Sequence, residues 1–553
     1  MAVTVEINGK HTGAFVGQSL FEHAESLGVR VPTSCFKQGK CRECLVEVVE
    51  GMPFLSERSP PEAHLRDGFR LSCCARVERG DGVLRCHTLR RAALRIEEGG
   101  SEALGSVLGV AARKLDPPIT RDGDRVLRDG EEIARATGPL LGVAIDVGTT
   151  TVVVRLVDFE TGGLVATQSF ENPQRFAGSD VMARIQYDSE NKGRLQQRTL
   201  LGYLNHALEA FPCEGGHIYE VAVAGNATMR DILFGLDVHS IGQKPYRSIT
   251  EHEMLDGKRP TTSIEVPARK LRLPVFPNAR VYGLPLVGSH VGADAAAALL
   301  AIGLPQEERR VVLMDIGTNT ELLVGNRHRT LAASCPAGPA FEGGGVSCGM
   351  PALEGAIEGV SLGEDGLIRS QVIGDGPASG LCGSGLIELI SELLRTGVMN
   401  SLGRYESGED QFSIDSEIHL KENDISELAQ AKGANVAGLR LVIGQYGLAF
   451  EDVDVFYLAG GFARHLSLDA IRRIGLIPDL PDDRIVQLGN ASIEGATRAL
   501  LSSSARAELE EFVRRIEHVE LETDPGFFDA FVDGCQFDSF GGAGPEESEF
   551  DGA

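Results

Sequence analysis

Leu141-Gly-Val-Ala-Ile-Asp146-Val-Gly148-Thr149-Thr150-Thr151-Val-Val-Val-Arg-Leu-Val-Asp158 is an apolar run broken once by small residues, and it reads as strand, tight turn, strand. The turn sets an acid at the end of the first strand and glycine and hydroxyl groups directly after it. Backbone amides and Thr oxygens at Gly148, Thr149 and Thr150 can converge on phosphate, leaving Asp146 to hold a hydrated Mg²⁺. Alone the pattern is weak. It recurs 169 residues later as Val311-Val-Leu-Met-Asp315-Ile-Gly317-Thr318-Asn319-Thr320-Glu-Leu-Leu-Val. Two copies a domain length apart point to an internal duplication. A third strand, Val455-Phe-Tyr-Leu-Ala459, runs into Gly460-Gly461, where missing side chains let a flat ring lie against backbone.

Towards the N-terminus, five of the eleven cysteines fall between Cys35 and Cys74, ordered Cys35-x5-Cys41-x2-Cys44, then Cys73-Cys74. Three thiolates in one loop and a fourth from a later segment suit a [2Fe–2S] cluster. The surroundings agree: Val3–Ile7 alternates, Asn8-Gly9 is a hairpin turn, and Gly17–Leu27 reads as an amphipathic helix. Gly39 supplies backbone freedom beside Cys41, Leu45–Val49 is a strand, and Phe69–Cys73 returns the last ligand. A zinc site is the alternative, although adjacent Cys73-Cys74 lack the spacer of a second zinc pair. The six remaining cysteines are single and read as small buried hydrophobes.

The pattern over residues 1 to about 90 resembles the ferredoxin fold, with a first gap of the adrenodoxin kind. Aligning Arg70-Leu-Ser-Cys on that family's last-ligand motif makes Cys73 the ligand beside Cys35, Cys41 and Cys44, with Cys74 as spare. The hairpins and Gly460-Gly461 resemble the phosphate-1, phosphate-2 and adenosine motifs of the acetate and sugar kinase/Hsp70/actin superfamily. That resemblance implies an ATP cleft between two lobes. Both parts in one chain resemble the reductive activators of corrinoid-dependent methyltransferases. The match continues through Ala224-Gly-Asn226, Gly292-Ala-Asp294, Cys335-Pro-Ala-Gly, Gly380-Leu-Cys-Gly-Ser-Gly and Gly489-Asn-Ala-Ser.

The expected architecture is therefore an α/β and α+β multidomain chain. A β-grasp ferredoxin-like domain spans 1–90 and a partly ordered linker 91–139, with a short helix at Leu104–Leu115. A two-lobed actin-like ATPase with duplicated ribonuclease-H-like halves follows, its first lobe and an inserted middle region at 140–310 and its second lobe at 311–535, then an acidic disordered tail at 536–553. The resemblance implies ATP-dependent one-electron reduction of cob(II)alamin to cob(I)alamin on a corrinoid protein or methyltransferase component, fed by a low-potential donor. Asp146 and Asp315 would order Mg²⁺ and the attacking water. Glu342, ahead of three glycines, is either a third carboxylate near the γ-phosphate or a solvated loop acid. Gly148, Thr149, Thr150, Gly317, Thr318 and Asn319 would bind phosphates, and Gly460 and Gly461 the adenosine.

Charge and composition narrow the field further. With 53 basic and 79 acidic side chains, the net charge of −26 repels a phosphate backbone, so no nucleic-acid partner is expected. No apolar run is long enough to span a membrane and no signal peptide is read at Met1, so a cytoplasmic protein is expected. A homodimer is a candidate assembly. Asp237-Val-His239-Ser-Ile-Gly242 matches a cobalt-ligating histidine motif, but the Ser-x-Leu and Gly-Gly that accompany it are missing, so it reads as chance. Three rivals to the leading function remain. They are an ATP-driven donor to a non-corrinoid metalloenzyme, a small-molecule kinase with a redox-sensing appendage, and an Hsp70-like scaffold.

Overall fold

The computed structural model describes residues 3–33, 35, 37–78, 81–89, 115–363, 367–374, 376–461, 463–538 and 540. Contacts divide the chain into two units. One comprises Met1–Ala93, Arg113–Ala301 and Ser492–Glu510, the other Leu94–Ala112, Ile302–Ala491 and Glu511–Ala553.

In the first unit, Thr4–Ile7 pairs antiparallel with Lys10–Gly13 through the Asn8-Gly9 turn and parallel with Val83–Thr88. Leu45–Glu50 and Phe69–Leu71 complete a five-stranded sheet. The helix Leu20–Ser26 starts at a capping box of Ser19 and Glu22 and buries Leu20, Phe21 and Ala24. This is the expected β-grasp.

One buried ion pair pins the segment that carries the last cysteines. Arg70 Nε donates to Glu62 Oε1 at 2.8 Å, and Glu62 also accepts from the Ser59 and Leu71 amides. Burial pushes the Glu62 carboxyl up, but its hydrogen bonds from Arg70 and Ser59 win and hold it below its ordinary value. A depressed folded-state pKa adds stability above the unfolded value and loses it as pH falls through the folded one. Glu62→Gln should therefore destabilise the holoprotein by about 3–5 kcal/mol near neutrality and flatten the acid limb of its stability below about pH 4. Urea unfolding across that range, followed by circular dichroism, measures both effects.

Part of the expected linker is ordered sheet. Ile119–Asp122, Arg125–Arg128 and Glu131–Arg135 form a three-stranded antiparallel sheet whose second turn is Asp129-Gly130, both left-handed. Arg128 donates to the carbonyls of Tyr219 and Asn278 and so anchors this sheet to the neighbouring lobe. Residues 90–114, with nearly all of the expected Leu104–Leu115 helix, lie outside the described residues.

The large sheet of the first unit runs Leu164–Glu171, Thr151–Asp158, Leu141–Val147, Ile218–Gly225, Arg280–Gly283, Ile264–Pro267. Its first three strands form an antiparallel meander, and Ile218–Gly225 joins parallel to Leu141–Val147. In the second unit the order is Ile485–Gln487, Val455–Ala459, Val311–Ile316, Thr320–Gly325, Thr330–Cys335, Glu517–His518. Again three strands meander, and a later strand, Val455–Ala459, pairs parallel to the first of them. The same topology twice is the structural form of the duplication read from the two hairpins.

Two boundaries differ from expectation. Ser492–Glu510 belongs to the first unit, because the helix Ala491–Leu501 sets Glu494 against Arg155 in a buried pair and lays Gly495 on the Ala297 backbone. The tail begins later than residue 536. Phe537 is buried, its amide donates to Ser401, and the Lys432 ammonium donates to the carbonyls of Gly534 and Gln536. Residues 541–553 lie outside the described residues. Among the described residues no helix is long and apolar enough to cross a membrane.

Candidate functional site

The cysteine loop leaves the helix Leu20–Ser26 and closes on the strand Leu45–Glu50. Cys44 and Cys73 are buried with their sulfurs 3.3 Å apart, close to the ~3.8 Å expected between two thiolates on one tetrahedral metal. Cys35 receives hydrogen bonds from the Cys41 thiol and from the amides of Cys41, Gln38 and Lys40. Burial pushes the Cys35 thiol up, but those donors bring it down to about 7. The hydrogen bond to Cys44, and then burial, push Cys73 up, while the Gly39 amide donates to its sulfur. Gly39 is left-handed at φ +69°, and a Cβ there would sit 3.0 Å from the Cys74 sulfur.

Among the described residues, no three His, Cys, Asp or Glu side chains gather as one metal ion would need. The thiols instead gather as two pairs, Cys35 with Cys41 and Cys44 with Cys73. Two pairs lined with amide donors fit two irons bridged by sulfide. Cys74 lies beside the second pair, 3.8 Å from Cys73, and its thiol hydrogen-bonds the Ser59 side chain.

In the first large sheet, Asp146 is the penultimate residue of the fully buried strand Leu141–Val147 and is 7% exposed. Ser492 Oγ donates to Asp146 Oδ1 at 2.9 Å. Asp294, in the first turn of the helix Ala293–Ile302, is near enough to feel that carboxylate. Burial first, and Asp146 among its neighbours, raise the Asp294 carboxyl well above its usual range against the pull of the Ala295 amide. Two carboxylates crowded in this way suit a shared divalent cation. Asn226 Nδ2 donates to Thr149 Oγ1 at 2.9 Å, and Asn172 Nδ2 donates to the Gly148 carbonyl at 2.8 Å. The Asn172 amide donates to the Thr150 carbonyl at 2.6 Å. The hairpin is thus held from both flanks.

In the second unit, Thr318 Oγ1 donates to Glu342 Oε2 at 2.7 Å. Glu342 closes the short helix Pro339–Glu342, and left-handed Gly343 turns the chain away directly after it. The acid is therefore attached to the phosphate-like hairpin. Asp315 is paired with Ala459 on the parallel strand. Next to it Gly460 adopts φ +122°, and a Cβ there would lie 2.2 Å from the Ile316 carbonyl oxygen, so only glycine fits. Gly317 donates its amide to Asn319, shaping the turn, and Gly461 stays partly open. Glu342→Gln keeps a partner for Thr318 but removes the charge. ATP turnover should fall roughly 10²-fold while nucleotide affinity stays near its original value, as phosphate release and calorimetry would read.

Sequence reading assigned no role to Asn172, Asn226, Asp294 or Ser492. Three of these sit in the quoted stretches Ala224-Gly-Asn226, Gly292-Ala-Asp294 and Gly489-Asn-Ala-Ser, so a signal was present. The histidine of the cobalt-like motif is exposed on the helix His239–Gly242, with Nδ1 3.2 Å from Ser189 Oγ.

The corrinoid activation enzyme RamQ of Eubacterium limosum is 30% identical to this chain over 431 residues, covering 72% of this chain and 70% of RamQ. The chain belongs to the RACo family of corrinoid activation proteins. Three family models match segment by segment: a 2Fe-2S iron-sulfur cluster binding domain over 5–78, the RACo middle region over 141–307, and the C-terminal ASKHA domain of RACo over 309–541. The [Co(II) methylated amine-specific corrinoid protein] reductase of Methanosarcina barkeri is 24% identical over 70% of this chain and 75% of its own. A solved structure titled reductive activator for corrinoid, iron–sulfur protein superposes with a TM-score of 0.70 at 28% identity, covering 97% of this chain and 98% of that one. The family's fold therefore runs through nearly the whole chain.

Proposed function

We propose that this RACo-family chain is an ATP-dependent reductive activator. It passes one electron to cob(II)alamin on a corrinoid protein and regenerates the cob(I)alamin nucleophile for methyl transfer. The observation that carries the reading is the presence, in one chain, of two amide-lined cysteine pairs and two phosphate-type hairpins. When bound, a [2Fe–2S] cluster supplies one-electron storage and Mg²⁺-ATP supplies hydrolytic free energy.

The chain's own residues divide the work. Cys35, Cys41, Cys44 and Cys73 hold the cluster, and the amides of Gln38, Gly39 and Lys40 donate to its thiolates. Asp146 and Asp294 bind the cation together, with Ser492 fixing the Asp146 carboxylate. Thr149, oriented by Asn226, and Thr150 and Gly148, held by Asn172, receive phosphate oxygens. On the second hairpin, Gly317, Thr318 and Asn319 do the same, while Asp315 and Glu342 orient the attacking water. Gly461, partly open, offers its backbone to the adenosine, while Gly460 lets that turn pack on the Ile316 carbonyl rather than on a ring.

Fusing the two parts has an energetic rationale. A one-electron gap of roughly 100–200 mV costs about 2–5 kcal/mol, which is within reach of ATP-linked binding. A ferredoxin alone has no such source, and an ATPase alone has no electron.

The test uses anaerobically purified holoprotein, a low-potential reductant and a cob(II)alamin-loaded methyltransferase component. Cob(I) absorbance should appear with ATP and stay near background without it. ATP turnover that only phosphorylates a metabolite would select the kinase reading instead.

A further inference from the structure

The turn after the first large meander touches two places. Asn172, at its head, binds the phosphate hairpin through the carbonyls of Gly148 and Thr150. Three residues on, in the helix Pro173–Ala177, the Arg175 guanidinium reaches the ferredoxin-like domain and spans both Glu47 oxygens at 3.4 and 3.5 Å. Glu47 lies three residues after Cys44, on the strand that leaves the cysteine loop. Arg175 is fixed from behind by a short ion pair with Glu171. Its neighbour Phe176 is fully buried and meets the His64 ring edge-on, with centroids 6.2 Å apart.

A second link runs in parallel. On the helix Leu195–Glu209, Arg198 Nη2 donates to the carbonyls of Lys40 at 3.1 Å and Cys41 at 3.4 Å, inside the cysteine loop itself. One turn on, Gly202 lies so close to Glu43 that a Cβ would sit 2.8 Å from its Cγ. The adjacent Gln197 donates to Leu233, near the end of the helix Ala227–Phe234, and that helix is capped by Asn226, the residue bonded to Thr149.

Both asparagines that grip the phosphate hairpin thus sit on elements that also carry, or pack against, an arginine gripping the cysteine loop (Arg198) or the strand that leaves it (Arg175). The turn is short, proline-containing and almost wholly buried, so a displacement at one end has little room to dissipate before the other.

We propose that Arg175 and Arg198 are positioning residues that fix the cluster-bearing loop to the nucleotide-binding body, so that nucleotide at the Gly148–Thr150 hairpin alters the reduction equilibrium of the cluster. The inference rests on the cluster and ATP reading above and assigns that reading a route inside one unit of the fold. Coupling of this kind is reciprocal: whatever factor nucleotide applies to cluster reduction, cluster reduction applies to nucleotide affinity.

Redox titration of the holoprotein by electron paramagnetic resonance, with and without a non-hydrolysable ATP analogue and Mg²⁺, tests it. The unmodified protein should show at least a tenfold change in the reduction equilibrium, equivalent to about 59 mV for one electron. Calorimetry on oxidised and reduced protein should show the same factor in analogue affinity. Arg175→Gln and Arg198→Gln should each shrink the factor below about threefold, with iron content and analogue binding to oxidised protein retained, and Arg175→Lys should recover part of it. A full shift in both glutamine variants, or no shift in unmodified protein that binds both cluster and analogue, overturns the proposal. Unmodified protein that binds no cluster or no analogue overturns the underlying reading, and the proposal with it.

Discussion

Cys41→Ser should give a protein stripped of more than about nine-tenths of its iron, colourless where the unmodified protein is brown, and unable to reduce cob(II)alamin. Cys41 is one half of the pair whose donors lower Cys35, and its carbonyl is held by Arg198. Serine keeps the volume and the carbonyl but offers a poor ligand to iron. The β-grasp core of Val5, Ile7, Leu20 and Leu84 is untouched, so the domain should still fold. ATP-analogue binding should survive, changed by no more than the roughly 5–150-fold that typical coupling between two sites takes away. Iron assay, visible absorption and calorimetry on one preparation decide it. Simultaneous loss of cluster and nucleotide binding would remove the modular picture.

Asp146→Asn should have the second large effect and the opposite split. Hydrolysis should drop by about 10²–10⁴-fold while the cluster stays in place. The physical argument starts from crowding. Asp146 is buried at a strand end, bonded to Ser492, and its charge helps raise the Asp294 carboxyl. Asparagine keeps the shape and the Ser492 partner but takes away the repulsion, so Asp294 should move back towards an ordinary carboxylate. The nucleotide-free variant should then be no less stable than the parent, and its melting temperature is expected to stay level or rise. Activity lost together with stability would mean that Asp146 is structural. Activity lost while stability holds is the signature of a site that tolerates strain for function.

The features that were legible in the amino-acid order are those whose chemistry is local. Asp146-Val-Gly-Thr-Thr and Asp315-Ile-Gly-Thr-Asn each hold strand end, turn and ligand types within five residues, so the motif can be read without any distant contact. The cysteine loop is legible for the same reason, since Cys35, Cys41 and Cys44 fall within ten positions. The sheet at Ile119–Arg135 was missed because charged residues alternate so densely there that strand and turn-rich linker look alike. Asp129-Gly130 was the available clue.

Chain order alone therefore determined the parts list: a β-grasp with a cysteine loop, a repeated hairpin-bearing sheet, and residue types suited to the iron, phosphate and divalent-cation roles proposed for them. Folding in three dimensions decided which distant groups complete them. Ser492 meets Asp146 across 346 positions, Asp294 joins them from another helix, and Arg175 reaches back 128 positions to Glu47. A lone serine, aspartate or arginine carries no periodicity or spacing that marks its partner. Only the packing of one element on another brings such groups within hydrogen-bond or Coulomb range, and that packing is a property of the whole core rather than of any short stretch of chain.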